Sequence, residues 1–486
     1  MNRKMIAFTL GRILLAEGAL MVPSLIVGLI YREPEAWAFL PAIGALLLIG
    51  FLSFLIKPKS TEIFTRDAYF TVAAAWVLLS VFGAVPFRLS GKFGKFWDCF
   101  FEIASGFTTT GASILTNIDI IPKCMLFWRS FSHWVGGMGV LVFVLAVMPM
   151  SEERSLHLMR AEVPGPVVGK LVPRARDTAK ILYGVYAGLT ALLVILLLLG
   201  GMPLFDALCY AFGTAGTGGF GITNAGVSIY DSAYIETVIA IFMLLFGVNF
   251  NLYYFILIGK VKDALRSEEL RVYLCVIAAA TALIFANTFQ LYRNVGETLR
   301  YAFFQVTTII STTGYATADF ANGWPLFSQM VLVLLMFTGA CAGSTGGGIK
   351  MSRIMLLFKS ARVEVDRLIH PRAIHVVRLE KKPVDHALIR TTLSFFVLYI
   401  AIISAVTFLL ALDHADFKTN FTAALSCLSN IGPGLGSVGP AGSFAFYSAP
   451  SKILLAFTML AGRLELFPMF VLFGFGFYHT KRAKNR

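Results

Sequence analysis

Four short segments of the chain each place a glycine after about a dozen helix-compatible residues, and their backbone could bind a cation. They read FWDCFFEIASGFTTTGAS (96–113), PLFDALCYAFGTAGTGGFG (203–221), TLRYAFFQVTTIISTTGYAT (298–317) and FKTNFTAALSCLSNIGPGLG (417–436). Extended strands containing glycine can turn successive carbonyl oxygens toward an axis, where they replace the hydration shell of a cation. Aligned on the glycines, the predicted ion-binding residues are Thr109, Thr110, Gly111, Ala112, Thr217, Gly218, Gly219, Phe220, Thr312, Thr313, Gly314, Tyr315, Asn430, Ile431, Gly432 and Pro433.

The position of these segments in the chain predicts the elements around them. Each lies between two long apolar stretches and is itself too short and too polar to cross a membrane. Irregular backbone at membrane depth is tolerated only inside protein or beside an aqueous path, so the four segments must meet at a shared centre. The order span, half-helix, glycine strand, span predicts an all-α polytopic membrane protein, with four copies of this unit in pseudo-fourfold symmetry around one pore. The alternative is a set of outer loops rich in turn residues, or glycines at tight helix crossings.

The overall composition agrees with a membrane protein. Of 486 residues, 57% are hydrophobic and 14% are charged, which excludes an ordinary cytosolic enzyme. The formal charge of +14 could indicate nucleic-acid binding, but the basic residues lie between long apolar runs, so we expect a lipid membrane and no nucleic acid as partner. Six cysteines form no CxxC pair, and we interpret them as buried thiols: Cys99, Cys124, Cys209, Cys275, Cys341 and Cys427.

About ten apolar stretches approach the length of about 20 residues that a bilayer requires. They lie near 7–30, 36–56, 67–87, 126–149, 181–199, 233–258, 272–291, 325–349, 391–411 and 450–478. Basic residues gather in alternate connections, at 1–12, 57–66, 151–180, 259–271, 350–390 and 480–486. The positive-inside rule therefore places these connections and both termini in the cytoplasm. The predicted units are an N-terminal two-helix hairpin and four repeats: 1–60, 61–150, 151–258, 259–370 and 371–486.

The stretch FTGACAGSTGGGIK (337–350) interrupts the predicted span at 325–349. It has five glycines between Gly339 and Gly348, together with Ser344 and Thr345, and such a run is not an ordinary helix interior. At membrane depth it must line the cavity; the alternative is a glycine-rich helix crossing. The order Gly348-Ile349-Lys350 breaks the spacing of a phosphate-binding Walker A loop.

A lone arginine, Arg463, lies near the middle of the last predicted span. A cation at that depth is costly and indicates a functional position. We expect it to face the pore, where its charge raises the barrier to cations. The alternative pairs it with a carboxylate or with carbonyl groups of the 337–350 stretch. Glu465, two residues on, is predicted to lie on another face of the helix.

The chain resembles a known family, the TrkH/KtrB/HKT superfamily of potassium transporters, and within it the TrkH members. Besides the four glycine segments, the resemblance rests on five stretches along nearly the whole chain. They are WRSFSHWVGGMGVLVFVLAVMP (128–149), RAEVPGP (160–166), KLVPRARDTAK (170–180), CAGSTGGGIK (341–350) and GRLELFPMFVLF (462–473). The helix pair ahead of the repeats favours TrkH over KtrB.

The resemblance implies a function and a set of partners. It implies four M1-P-M2 repeats, a homodimer in the bacterial inner membrane, and K⁺ as the transported ion, with Rb⁺ and Cs⁺ as close substitutes and no covalently bound cofactor. Glycine in all four filter segments implies selectivity for potassium over sodium. It also implies that a cytosolic nucleotide-binding ring of the TrkA (RCK) type controls the path, with the basic residues Lys350, Arg353, Lys359 and Arg362 at the cytoplasmic face. The residues implied to form an intramembrane gate are Gly339, Ala342, Gly343, Ser344, Thr345, Gly346, Gly347, Gly348 and Lys350.

Three other functions can be compared with the sequence: a solute carrier, a membrane-embedded enzyme and an ion-coupled symporter. An alternating-access solute carrier would favour inverted or twofold repeats, and the order of four parallel copies argues against it. A membrane-embedded enzyme would need a cluster of intramembrane acids, histidines or cysteines, which the sequence does not show. Symport of K⁺ with H⁺ or Na⁺ stays an alternative. We interpret His133 as a hydrogen-bonded packing residue, and Asp98 and Asp206 as helix caps.

Overall fold

The computed structural model describes residues 2–56, 65–139, 175–292, 294–373, 375–472 and 474. The sequence motif at 160–166, most of the basic connection at 151–180, and the ends of the predicted spans at 126–149 and 450–478 lie outside these residues. Within them the fold is helical, as predicted. The exception is one short β-hairpin, β1 (Arg378–Leu379) with β2 (Lys382–Pro383), in which Arg378 pairs with Pro383 and Leu379 with Lys382.

The N-terminal pair consists of α1 (Arg3–Ile30) and α2 (Phe39–Ser53), joined by a 3₁₀ turn at Pro34–Ala38. The two helices pack along each other, and small residues permit the close approach. A Cβ added at Gly50 would lie only 2.7 Å from the Cβ of Leu15. Helix α1 also packs against α3 (Thr65–Ser90) and α5 (Lys123–Gly137), so this pair is attached to the first predicted repeat.

Six helices of the described part are long and apolar enough to cross a membrane without interruption. Besides α1, α3 and the 34–53 unit with α2, they are α6 (Ala175–Leu199), α11 (Glu268–Tyr292) and α15 (His386–Leu410). A seventh candidate is the pair α8 (Ala233–Phe246) and α9 (Phe250–Leu257), which is bent by 93°. Within the described residues, six of the ten predicted spans are therefore uninterrupted helices and a seventh is this bent pair, while the predicted spans at 126–149 and 450–478 are described only in part.

Within the described residues, the second helix of the second, third and fourth predicted repeats is interrupted. Helix α13 (Leu326–Thr338) stops at Gly339, whose φ is 68°, and the chain becomes helical again only in α14 (Met351–Ile369). Helix α17 (Ala449–Arg463) ends before α18 (Phe467–Leu472), with Glu465 and Leu466 at φ of 61° and 65°. Helix α5 reaches Gly137, two residues before the described part is interrupted.

Four short helices occupy the centre of the molecule. They are α4 (Phe96–Phe107), α7 (Leu204–Gly216), α12 (Val295–Ile310) and α16 (Phe417–Ser429). Their ends are deeply buried: every residue of 99–107 and of 422–429 is buried. The hydrophobic core therefore surrounds these helices and holds the residues that follow them.

The helices around this centre contact one another in a cycle. Helix α5 packs against α4 and also against α7, the next short helix along the chain. In the same way α8 packs against α7 and α12, α13 against α12 and α16, and α17 against α16 and α4. The fourth unit thereby returns to the first. A short helix α10 (Val261–Leu265) and the β-hairpin lie at the end of the bundle that carries the basic connections.

Candidate functional site

All four short helices end in the same backbone turn. The residue two before each glycine adopts a left-handed φ of 55° to 61°. The N–H of the next residue then bonds to a carbonyl five positions earlier, the Schellman arrangement of a helix C-terminus. These bonds are Thr110 N to Ser105 O (2.9 Å), Gly218 N to Gly213 O (2.8 Å), Thr313 N to Thr308 O (2.9 Å) and Ile431 N to Ser426 O (3.0 Å). The alignment of the four segments on their glycines therefore pairs residues that have the same backbone conformation.

The glycines themselves meet their neighbours in cyclic order. Gly111, Gly219, Gly314 and Gly432 have φ of 78°, 74°, 87° and 98°, a region that favours glycine. A Cβ added to any of them would overlap a carbonyl oxygen of the next segment. The facing pairs are Gly111 with Gly218, Gly219 with Thr313, Gly314 with Ile431, and Gly432 with Thr110. Conformation and space thus both require glycine at these positions.

The four glycines line one cavity of about 140 Å³. Gly111, Gly219 and Gly314 are partly exposed in it, and Gly432 is buried. Pro433 is half-buried and lines the cavity, whereas the other predicted site residues with side chains are all buried: Thr109, Thr110, Ala112, Thr217, Phe220, Thr312, Thr313, Tyr315, Asn430 and Ile431. The structure therefore brings the four predicted segments together with backbone toward the cavity.

Polar side chains of the short helices hold the chain just beyond three of the glycines. The carboxylate of Glu102 accepts from the N–H of Ile114 at 2.9 Å, and Thr422 Oγ1 accepts from the N–H of Leu435 at 2.8 Å. The amide of Gln305, oriented with its oxygen toward the backbone, accepts from the N–H of Thr317 at 3.0 Å. Sequence reasoning missed these residues. Their signal is a polar residue nine or ten positions before an aligned glycine.

The first two segments share a buried ion pair that sequence reasoning also missed. Arg129 Nε donates to Glu102 Oε1 at 2.8 Å, and the two side chains are 1% and 0% exposed. The guanidinium also donates to Gly221 O at 3.0 Å and lies 4.0 Å from the ring centroid of Phe220.

His133 lies one helical turn beyond Arg129. Its Nδ1 is 2.8 Å from Gly106 O, and its Nε2 accepts from the N–H of Phe220 at 3.3 Å. The interpretation of His133 as a hydrogen-bonded packing residue is confirmed.

The cysteine prediction is wrong at one position, because Cys275 is exposed on α11 while the other five are buried.

At the N-terminal ends of α4 and α7, the two aspartates predicted as caps make different hydrogen bonds. Asp98 accepts from the N–H of Lys95 at 3.0 Å, as a cap should, and also pairs with Lys452 at 2.7 Å. Asp206 makes no cap bond; it accepts from the hydroxyl of Tyr230 at 2.6 Å. Burial and that hydrogen bond raise the pKa of Tyr230. Asp416 caps α16, and the hydrogen bonds from Thr419 hold its pKa below the usual value.

The glycine-rich loop (residues 339–350) lies directly against two of the four segments. Gly347 N donates to Thr312 Oγ1 at 2.6 Å, and a Cβ at Gly347 would overlap Ser429 O. On its other side the loop packs into the bend between α8 and α9, where Cys341 N donates to Gly247 O at 3.0 Å. Most of the predicted gate residues are buried there: Gly339, Ala342, Ser344, Thr345, Gly346, Gly347 and Lys350, with Gly343 and Gly348 half-buried.

Basic residues surround this loop. Arg463 donates to Thr345 O at 2.8 Å and, at 2.5 Å, to both Gly136 O and Gly137 O. It thus binds carbonyl groups of the glycine-rich loop and of α5, the alternative considered from sequence. The amine of Lys350, 1% exposed, donates to Gly346 O.

Arg353 lies behind the loop and not in solvent. It is 7% exposed, forms an ion pair with Glu465, and lies 4.2 Å from the ring centroid of Phe395. The sequence interpretation of Arg353 as a cytoplasmic basic residue was therefore incomplete. Glu465 was predicted to lie on another face of the same helix, but α17 ends at Arg463, and Glu465 lies in the turn before α18 with a φ of 61°.

A carboxylate joins the glycine-rich loop to the start of α14. Glu269 Oε1 accepts from Ala342 N at 2.8 Å and from Ser352 N at 3.0 Å, and the side chain is 8% exposed. Glu269 lies in the first turn of α11, and Glu380 of the β-hairpin accepts from the N–H groups of Glu268 and Glu269. Sequence reasoning missed Glu269, since acidic residues in a first helical turn are common.

Comparison with known proteins gives consistent matches along the chain. The family model TrkH, described as cation transport protein, matches residues 39–476. The Trk system potassium uptake protein TrkH of Salmonella typhimurium is 37% identical over 471 residues, covering 95% of this chain and 96% of that protein. The Trk system potassium uptake protein TrkG of Escherichia coli is 34% identical, covering 94% and 95%.

A solved structure matches the fold. The crystal structure of the potassium transporter TrkH from Vibrio parahaemolyticus has a TM-score of 0.89 and 30% identity, covering 99% of this chain and 100% of that chain. These relatives are membrane transport proteins and not enzymes, in agreement with the composition. The chain belongs to the TrkH family of cation transport proteins.

Proposed function

We propose that this protein carries K⁺ across the membrane through a filter formed by the four glycine segments. The observation that supports this most strongly is the cyclic contact of Gly111, Gly219, Gly314 and Gly432, each against a carbonyl of the next segment. Four segments closed in this way can present rings of carbonyl oxygens to an ion on the common axis. The relatives named above are potassium uptake proteins and potassium transporters, which favours K⁺ as the ion.

The short helices add to the attraction for a cation. The C-terminal end of a helix carries a partial negative charge of about half an elementary charge. All four short helices end three or four residues before their aligned glycines, so these ends converge on the proposed filter. Rb⁺, and Cs⁺ less readily, would follow the same path because they are similar in size and charge.

The glycine-rich loop is the proposed gate. It touches the third segment through Thr312 and the fourth through Ser429, so it lies on the inner side of the filter. Lys350 and Arg463 place two cationic groups at the loop and oppose the passage of a cation. Opening requires the loop to leave these contacts.

Sidedness and partners follow from the charge distribution and the family resemblance. We propose that both termini and the basic connections face the cytoplasm of a bacterial inner membrane. A homodimer and a cytosolic ring of the TrkA (RCK) type are proposed as the assembly that controls the loop. Lys359 and Arg362 of α14 are the basic residues proposed to meet that ring.

Coupled K⁺/H⁺ symport is a second candidate, supported by one buried acid. Glu17 of α1 is 0% exposed, and neither carboxylate oxygen has a hydrogen-bond partner within the described part of the chain. Burying an isolated ionised carboxylate is costly, so Glu17 is a candidate for a group that gains and loses a proton during transport. Its Oε1 lies beside Gly83, where Ile103 and Phe107 of α4 also pack.

Flux into liposomes that contain only the purified protein tests the proposal. Downhill flux of K⁺ and Rb⁺ that exceeds that of Na⁺, and continues without a pH gradient, is the expected result. Flux that requires an imposed proton gradient in the parent protein, and loses that requirement in Glu17→Gln, would favour symport. Equal flux of K⁺ and Na⁺ would contradict the filter.

A further inference from the structure

Two residues of α5, Arg129 and His133, contact the ring of Phe220, the residue that follows Gly219. The guanidinium of Arg129 lies 4.0 Å from the centroid of Phe220, and the ring of His133 lies 4.3 Å from the same centroid. His133 Nε2 also accepts from the N–H of Phe220. The direction of the Phe220 backbone, and hence of the carbonyl groups beside Gly219, depends on where α5 holds these two side chains.

The partner of Arg129 reaches the first segment. Glu102 binds Arg129 with Oε1 and accepts from the N–H of Ile114 with Oε2. Its carboxylate also accepts from Ser113 Oγ at 2.9 Å. One ion pair therefore fixes the chain after Gly111 through Glu102, and the chain after Gly219 through Arg129 and Gly221 O.

The Glu102–Arg129 ion pair differs from the contacts that hold the third and fourth segments at the corresponding place. Gln305 and Thr422 hold the chain after their glycines with neutral groups. Charge-assisted hydrogen bonds are shorter and about twice as strong as neutral ones. Since both partners are buried, loss of either would leave an uncompensated charge in the protein interior. Arg129 also lines the cavity formed by the four glycines, so its charge faces entering cations if Glu102 is absent.

We propose that the Glu102–Arg129 ion pair is a specificity-determining pair of positioning residues, which holds the first two glycine segments at the spacing that selects K⁺ over Na⁺. It acts through the backbone at Ile114 and through Phe220, without touching the ion. This inference rests on the proposed function, because it assumes that the glycine segments are the filter.

Selectivity in liposomes separates this role from simple stabilisation. Glu102→Gln and Arg129→Gln should each lower the ratio of K⁺ to Na⁺ flux about tenfold, equivalent to about 1.4 kcal/mol. Their total K⁺ flux should differ: Glu102→Gln leaves an unpaired cation at the cavity and reduces the flux, whereas Arg129→Gln leaves an unpaired anion and does not reduce it. A structural role alone would reduce the amount of folded protein in both and leave the ratio per folded molecule unchanged.

A matched control is Glu236→Gln, which breaks the 2.7 Å ion pair between α8 and Arg300 of α12, well before Gly314 in the chain. Its ratio should equal that of the parent. If the single variants do not fold, the double variant Glu102→Gln/Arg129→Gln leaves no uncompensated charge and decides the question by its ratio. A parental ratio in these folded variants overturns the inference, while the proposed function stands if the parent itself selects K⁺. A parent that does not select K⁺ overturns the proposed function instead.

Discussion

Asn430 donates a hydrogen bond of 3.0 Å to the hydroxyl of Thr110, across 320 residues of sequence. The same amide donates to Met459 O at 2.9 Å. These bonds join the fourth glycine segment to the first and to the helix that follows the fourth. Together with the approach of Gly432 to Thr110 O, they close a cycle of four segments that a linear alignment can only suggest.

The first prediction concerns Gly111→Ser. A serine there would need a φ near 78° and would place its Cβ against Gly218 O, so the carbonyl ring must shift. We expect the K⁺ to Na⁺ flux ratio to fall roughly tenfold, a change of about 1.4 kcal/mol in relative barrier. Gly188→Ser on α6 is the control, because a Cβ there meets nothing within 4 Å. An unchanged ratio in Gly111→Ser would show that the register of the first segment is wrong.

The second prediction concerns Gly347→Ala. The added Cβ overlaps Ser429 O and lies 2.9 Å from the Cβ of Asn430, which pushes the glycine-rich loop away from the fourth segment. We expect K⁺ flux to rise severalfold with no change in the K⁺ to Na⁺ ratio, measured in liposomes. Gly44→Ala, at an open position of α2, should behave as the parent. Loss of selectivity with raised flux would place the loop within the filter.

Arg463→Ala gives the third prediction. The substitution removes a cation and three hydrogen bonds to carbonyl groups of Thr345, Gly136 and Gly137. We expect higher K⁺ flux, because the electrostatic barrier falls and the loop loses one of its anchors. Arg463→Lys keeps the charge and should show a smaller increase. Folded Arg463→Ala protein with parental flux would restrict Arg463 to packing.

The fourth prediction concerns Glu269, whose carboxylate joins the glycine-rich loop to the start of α14. Glu269→Gln keeps an oxygen near Ala342 N and Ser352 N but removes its charge. A hydrogen bond to a charged group contributes about 1.5–3 kcal/mol, and a neutral one about 1 kcal/mol. We therefore expect the closed loop to be less stable and flux without a regulator to rise.

Glu268→Gln is the control for this variant, since Glu268 pairs with Lys359 near the surface and makes no bond to the loop among the described residues. Its flux should match that of the parent. If both variants raise flux equally, the effect belongs to the start of α11 as a whole and not to the contacts of Glu269.

The sequence predicted the segments around the glycines better than the contacts between them. Gly111 and its three counterparts need an unusual φ, so the residue type itself marks the position. The Glu102–Arg129 pair has no such mark, because partners 27 residues apart meet only when α4 and α5 pack in one particular register. The breaks after Phe246 and at Glu465 were missed for a related reason, because the bends depend on tertiary contacts such as the hydrogen bond from Cys341 N to Gly247 O and the ion pair of Glu465 with Arg353.

Diffraction from crystals grown with Rb⁺ tests the central claim, that the four glycine segments form one cation site, most directly. The account predicts anomalous density on the axis enclosed by Gly111, Gly219, Gly314 and Gly432, at coordination distance from their neighbouring carbonyl oxygens. Rb⁺ bound elsewhere in the bundle, with none on this axis, would contradict the account.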